Sequence, residues 1–329
     1  MRETVRNKCD LFADNYKELS KKFKWGYTIN NKLGSLLYSM DNRAVDTDAI
    51  SRCRKIIKDN TGVFSQFKDI TNFTVSVMLS LHSEPEAVFK GALTVYNFMK
   101  LEGFHASHYL VIAATSIAQK AEPYYYQQIV REAKNHYTVM KEEHPWITSC
   151  DDYGFAALLA LAQKPVSQSS REMKNCYRLL KESFSFSNAV QALAEVLVFS
   201  EEETAAKCKR VYELSQALKR RKCKLGPGME LSFLGVLALL KANSEQLADE
   251  IAEATQYLKN KKGFGYWSVT SRERVLFASA LVCNDYLGSM NKEIMEMTIN
   301  NNIIEIIVAQ QVATIAAASA SATAASSAT

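Results

Sequence analysis

The strongest constraint on this chain is an internal repeat. The segment Val77-Met78-Leu79-Ser80-Leu81 returns as Ala157-Leu158-Leu159-Ala160-Leu161 and again as Gly235-Val236-Leu237-Ala238-Leu239, about 80 residues apart each time. Behind each copy come a polar helix start, a longer two-faced stretch carrying a tyrosine, and an exit phenylalanine: Tyr96 with Phe104, Tyr177 with Phe184, Tyr257 with Phe264. A weaker set with the same order lies between them, led by Leu110-Val111-Ile112-Ala113-Ala114 and Val190-Gln191-Ala192-Leu193-Ala194. The unit is a helical hairpin of about 40 residues, a short apolar helix followed by a longer amphipathic one. Apolar starts near Leu33, Phe73, His108, Tyr153, Asn188, Leu231 and Arg274 predict about seven hairpins behind a leading helix from Arg2 to Phe23.

Burial explains the alternation. A helix such as 157–162 is apolar around most of its circumference and needs neighbours on nearly every side, so it belongs to an inner layer. The stretch 170–182 carries Met173, Cys176, Tyr177 and Leu180 on one stripe and Arg171, Lys174, Arg178 and Lys181 on the other, so it faces water. No segment sustains period-two alternation, and only 12 Gly and 5 Pro occur in 329 residues, too few for the turns of an all-β fold. The expected fold is all-α without a sheet: a two-layer array of hairpins, arranged either as an open α/α superhelix or as a closed α/α toroid. Gly103 and Gly263 stand where a helix C-cap needs a positive φ. Residues 1–302 read as one repeat domain. Residues 303–329 read as a tail that packs Ile303, Ile304, Ile307 and Val308 on the body and then passes into an Ala/Ser-rich end.

The formal charge of +5 is mild and spread over many helices, which serves solubility and does not specify nucleic acid. The seven cysteines include no CxxC pair, which argues against a disulfide framework or a zinc ribbon. The N-terminus shows no export signal and no apolar run reaches the ~20 residues of a span. A cytoplasmic protein is expected, with neither nucleic acid nor a membrane as partner.

The stretches 153–161, 188–194 (Asn188-Ala189-Val190-Gln191-Ala192-Leu193-Ala194) and Leu237-Ala238-Leu239-Leu240, in that order, resemble a bacterial family of cytoplasmic all-helical proteins of this length without an assigned activity. The resemblance spans nearly the whole chain apart from the tail. It implies a fold and a compartment, and transfers no catalytic or binding residue.

Candidate chemistry comes from local composition. Asp151 and Asp152 form a compact carboxylate pair suited to acid/base work, although acids just before an apolar helix are more economically N-caps. Tyr153 follows them at the mouth of an inner helix. Gly263-Phe264-Gly265-Tyr266-Trp267, with Arg272 and Arg274 close behind, is the most unusual stretch. Its aromatics and arginines suit recognition of an anion, sugar or peptide, or Phe264 and Trp267 wedge successive hairpins together. His105 and His108, with His82, are a conceivable metal set, but no metal-binding motif surrounds them, and neither metal nor cofactor is expected. Cys223, among cations, is the thiol most open to activation.

A repeat without a catalytic motif points to a non-catalytic scaffold that binds a protein or peptide on its concave face, with Tyr153, Trp267, Arg272 and Arg274 as contacts. The rival reading is a toroid-type enzyme acting on a carbohydrate or isoprenoid-like ligand in a central cavity, with Asp151 and Asp152 among its acids.

Overall fold

The structure is a computed structural model that describes residues 1–24, 28–63, 65–68, 70–286 and 298–311. No strand occurs among the described residues. The apolar segments of the repeat form α2 (Thr28–Met40), α4 (Thr71–Ser80), α6 (His108–Lys120), α8 (Tyr153–Leu161), α10 (Ser187–Leu197), α12 (Ser232–Leu239) and α14 (Ser271–Tyr286). The two-faced segments form α1 (Glu3–Lys22), α3 (Thr47–Asp59), α5 (Pro85–Leu101), α7 (Tyr126–Glu143), α9 (Val166–Leu180), α11 (Thr204–Arg220) and α13 (Ser244–Lys259).

Burial divides the two sets as their sequences require. Every residue of α12 is buried, and α8 is buried from Tyr153 to Ala160. In contrast, α9 buries only Ser169, Met173, Cys176 and Leu180, which lie on one face because their spacing follows the helical period. Small residues let the buried helices approach one another. At Gly235 a Cβ would come within 3.1 Å of Leu193 and Val196 on α10.

The phase of the pairing differs from the sequence reading. The tightest pairs join each surface helix to the buried helix that follows it, as in α5 with α6 and α7 with α8, rather than each buried helix to the next surface helix. A periodic pattern is the same in either phase; short junctions and packing choose between them. The first helix is therefore the surface member of the first pair rather than an extra leader.

The surface helices touch in chain order, α1 to α3 and onward to α13, and α13 touches α1 again. The buried α14 also packs on α1 and α2. This junction is dense with aromatics: the Phe12 ring lies 4.7 Å from Phe264 and 5.5 Å from Phe277, and Tyr16 lies 5.3 Å from Phe264. Arg2 Nε reaches Glu250 at 2.8 Å and the Tyr257 hydroxyl donates to Asp10 at 2.9 Å. Phe264 is thus a wedge between the last pair and the first, while Trp267 is fully exposed and wedges nothing.

Antiparallel pairing places every junction from a surface helix to its buried partner at one end of the molecule, here called the entry end. Contacts between junctions agree with this. The His105 N–H donates to the Tyr153 hydroxyl at 3.2 Å, Gln191 Nε2 donates to Thr148 Oγ1 at 3.0 Å, and Lys32 Nζ donates to the Ser268 carbonyl at 3.1 Å.

A further helix, α15, spans 298–311. The sequence suggested a helix docked by one side. Instead Ile299, Ile303, Ile304, Ile306, Ile307 and Val308 are all buried, and so are the polar Thr298, Asn301, Asn302, Glu305 and Gln311. Its partners lie on separate buried helices: Ser116 of α6 donates to Asn301 at 2.9 Å, Asn302 Nδ2 donates to Ser232 of α12 at 2.9 Å, and Gln311 bonds Asn30 of α2. With only Asn300, Ala309 and Gln310 half-buried and the rest buried, α15 is largely enclosed by the buried layer. Each enclosed aliphatic side chain contributes about 1.5–3 kcal/mol relative to exposure. The tail beyond 311 lies outside the described residues.

Gly103 and Gly263 have φ of 83° and 89°, the left-handed region foreseen for these caps. Their surroundings differ. A Cβ at Gly103 would meet only Lys134 Nζ at 3.5 Å, whereas one at Gly263 would collide with the Tyr16 ring. Gly103→Ala is expected to cost ~1 kcal/mol from backbone strain alone, and Gly263→Ala at least ~2 kcal/mol because the closing contact with α1 must also shift. Urea unfolding midpoints of the two variants check this; equal losses would show that Tyr16 yields freely.

Candidate functional site

The sequence-derived candidates separate into two groups. Asp151, Asp152 and Tyr153 lie where α8 begins, and Trp267, Arg272 and Arg274 lie where α14 begins. Arg274 is buried and donates from Nε to the Phe264 carbonyl at 3.0 Å, so it braces its own loop. Arg272 and Trp267 point to solvent. Tyr153 is buried between the rings of Phe104 and Tyr137, both 4.9 Å away. His82 follows α4 at the far end from His105 and His108. Among the described residues no group of three His, Cys, Asp or Glu side chains is arranged to hold a metal ion.

Cys223 differs from its expectation. It is buried, and burial pushes its thiol up despite the neighbouring arginine. The cations surrounding it in sequence project outward while the thiol turns inward, so proximity in sequence did not become proximity of charge.

Asp152 leads to a site that the sequence did not assemble. The Ser149 N–H donates to Asp152 Oδ2 at 2.7 Å, completing a capping box at the 3-10 turn that opens α8. The same carboxyl shares a hydrogen bond with Glu195 of α10. Gln191, one turn earlier on α10, donates from Nε2 to Glu195 Oε1 at 3.1 Å as well as to Thr148. Glu305 of α15 completes the group, its carboxyl pressed on Gly154 where any Cβ would overlap it. Among the described residues Glu305 Oε1 has no hydrogen-bond partner and none of the three acids has an ion-pair partner. The pair Asp151–Asp152 is thus both cap and site: Asp151, half-buried, bonds the Ser149 hydroxyl, while Asp152 faces inward.

Three enclosed acids with no cation beside them among the described residues are pushed toward the neutral form. Burial, followed by the charge of Asp151, raises Asp152 to about 7. Burial and then the charge of Asp152 raise Glu195 and Glu305 well above the ordinary carboxylate range. Burial also pushes the neighbouring Tyr109 hydroxyl up, aided by Asp151. Asp152 and Glu195 therefore form a carboxyl pair able to keep a proton near neutral pH, the property expected of a general acid. A cavity of about 210 Å³ lies at the end where α2, α4 and α6 finish, lined by His82, Gln119 and Asn301, and a cleft of about 550 Å³ lies beside the α6–α7 and α8–α9 turns. Neither is lined by Asp152, Glu195 or Glu305.

Sequence reasoning missed Glu195 and Glu305, although a signal existed. Each is a single acid within an otherwise apolar helical run, Ala194-Glu195-Val196 and Ile304-Glu305-Ile306. An acid that cannot turn to water in such a helix is a buried titratable group.

These features define an all-helical protein with an enclosed terminal helix and a buried carboxyl cluster where α8, α10 and α15 meet. No helix among the described residues is long and apolar enough to cross a membrane. The chain belongs to the family described as "Protein of unknown function (DUF4003)", which matches residues 15–313. It is similar to "Uncharacterized protein YeaA" of Bacillus subtilis (strain 168), 26% identical over 323 residues that cover 95% of this chain and 94% of that protein. No solved structure matches the chain.

Proposed function

We propose that this protein is a non-catalytic binding scaffold, a closed α/α toroid whose inner face holds a helix of a protein or peptide. The observation that carries this reading is α15. Its aliphatic side chains are enclosed on all sides, and Asn301, Asn302 and Gln311 each meet a polar side chain on a different buried helix. Such matching supports a wall shaped to recognise a helix, with the chain's own terminal helix as resident occupant. The circuit of surface helices from α1 to α13 and back supports closure over an open superhelix.

The convergence of Asp152, Glu195 and Glu305 favours a second reading, the toroid-type enzyme acting on a carbohydrate or isoprenoid-like ligand. That chemistry needs acids lining a cavity that substrate can enter. Here one acid belongs to α15, which fills the space before the other two, so the scaffold is the better reading.

The test is to place a protease site between positions 287 and 297, cut the folded protein, and add a labelled synthetic peptide of residues 298–311. Continued association of the cut segment, with exchange for the labelled peptide, is expected, together with weaker retention of an Asn301→Ala, Asn302→Ala peptide. Loss of cooperative unfolding after the cut, without rescue by peptide, would make α15 an ordinary core element. Turnover of a glycan or isoprenoid diphosphate that Glu195→Gln abolishes would favour the enzyme.

A further inference from the structure

Beyond the helix-holding reading, one whole end of the molecule remains to be explained. Of the large apolar side chains that stand exposed, Val63, Leu101, Trp146, Phe186 and Trp267 each belong to a different junction of the entry end, with Tyr266 beside Trp267. Among the described residues the opposite end exposes only Tyr124 and Tyr125 of this kind. Each tip stands alone in its own junction, apart from the adjacent Tyr266 and Trp267. A protein partner is met by a contiguous apolar core with a polar rim. Apolar tips carried singly by separate junctions of one end instead match a lipid surface, into which each tip inserts independently.

Charge is divided along the same axis. Consecutive junctions from α11–α12 through α13–α14 to α1–α2 present Lys219, Lys222, Lys224, Lys262, Arg272 and Lys24, all exposed and without an ion-pair partner among the described residues. The opposite end carries Asp41, Glu84, Glu122, Glu201 and Glu203 beside Arg43, Lys120 and Lys241, with Asp41 paired to Arg43 and Glu201 to Lys164. The basic arc has Trp267 within it and Phe186 at its edge, while the arc around Trp146 carries Glu142. A molecule polarised in this way turns its entry end toward a negative surface and its acidic end away. The end of α15 lies at this same end, since Gln310 donates to Glu230 and Gln311 to Asn30.

We infer that the entry end is a peripheral docking surface for an anionic lipid bilayer, with Trp267 as the inserting anchor and the Lys219–Lys224, Lys262 and Arg272 arc contacting headgroups. The lack of a spanning segment, which led the sequence reading away from membranes, does not bear on docking of this kind, because it requires no span.

The experiment is sedimentation of the full chain with vesicles of phosphatidylcholine alone and of phosphatidylcholine with about one third phosphatidylglycerol, at 0.1 M and 0.5 M salt, with tryptophan emission recorded alongside. Expected are binding at least tenfold tighter to the anionic vesicles, release by the higher salt, and a blue shift of emission on binding. Trp267→Ser should remove most of the shift and weaken binding about tenfold. Lys222→Glu with Lys224→Glu should weaken it comparably while leaving the thermal unfolding curve in place. The proposal is overturned by no sedimentation with anionic vesicles at 0.1 M salt, or by equal binding of the Trp267→Ser protein. It is also overturned if soluble polyglutamate binds as well as vesicles and independently of Trp267, the outcome expected of a site for an acidic protein.

Discussion

Ile307→Asp is expected to cost at least ~4 kcal/mol, enough to unfold much of the population at 25 °C. Ile307 is fully buried on a helix that is itself enclosed, so the new carboxylate would reach neither water nor a cation. Ile307→Val, which removes one methylene and leaves a small cavity, should cost only about 0.5–1.5 kcal/mol, and Ile303→Ala about 2–5 kcal/mol. Urea denaturation followed by circular dichroism checks the series. A loss below ~1 kcal/mol for the aspartate variant would mean that α15 leaves its seat easily, and the account of an enclosed helix would fall.

Glu305→Gln should produce the opposite sign, and one that grows with pH. In the native protein Glu305 stays protonated, while in the unfolded chain it ionises above its ordinary value near 4.5. Between that value and the raised native one, the unfolded state holds fewer protons, so the wild type loses stability relative to the glutamine variant by up to 1.4 kcal/mol per pH unit. The two proteins should be equally stable near pH 4, and the variant should pull ahead progressively as pH rises above it. Asp152→Asn should behave alike over a narrower window, from about 4 to about 7. The difference between variant and wild type is the informative quantity, because other groups tilt the absolute curve. Buried His136 and half-buried His82 and His144 have values lowered chiefly by desolvation and reduce native stability as pH falls below about 6.5. Lys32, lowered to about 8 by burial, adds stability as pH rises from there toward 10.5. A Glu305→Gln protein that is less stable at every pH would show an ionised, paired Glu305 and so a cation held in the cluster.

Much of the fold could be read along the chain, and the reason is local. The starts expected at His108 and Tyr153 coincide with α6 and α8, and that near Leu231 lies one residue from α12. A helix apolar all round and a helix with one stripe differ in composition before any neighbour is known. Glycine at 103 and 263 announced a left-handed cap through the same kind of local rule. The candidate site was only half legible. Asp151 and Asp152 stood out because they are adjacent in sequence, whereas Glu195 and Glu305 were single letters inside apolar runs, 43 and 153 positions beyond Asp152 by subtraction of residue numbers. Arg274 and Trp267 looked alike as components of a recognition loop. Packing then turned one inward to carbonyl groups and left the other in water.

By itself the sequence determined the helical class, the alternation of enclosed and half-exposed helices, and where most of the buried helices begin, because these depend on side chains three or four positions apart. Only the tertiary structure decided the phase of the pairs, the return of the last pair to the first, the seating of α15 inside, the meeting of three acids and the gathering of aromatic tips at one end. Those depend on contacts between residues far apart in sequence, such as Asn30 with Gln311, 281 positions on. A periodic pattern is equally satisfied by several long-range arrangements, and only the packing of all the helices together selects one.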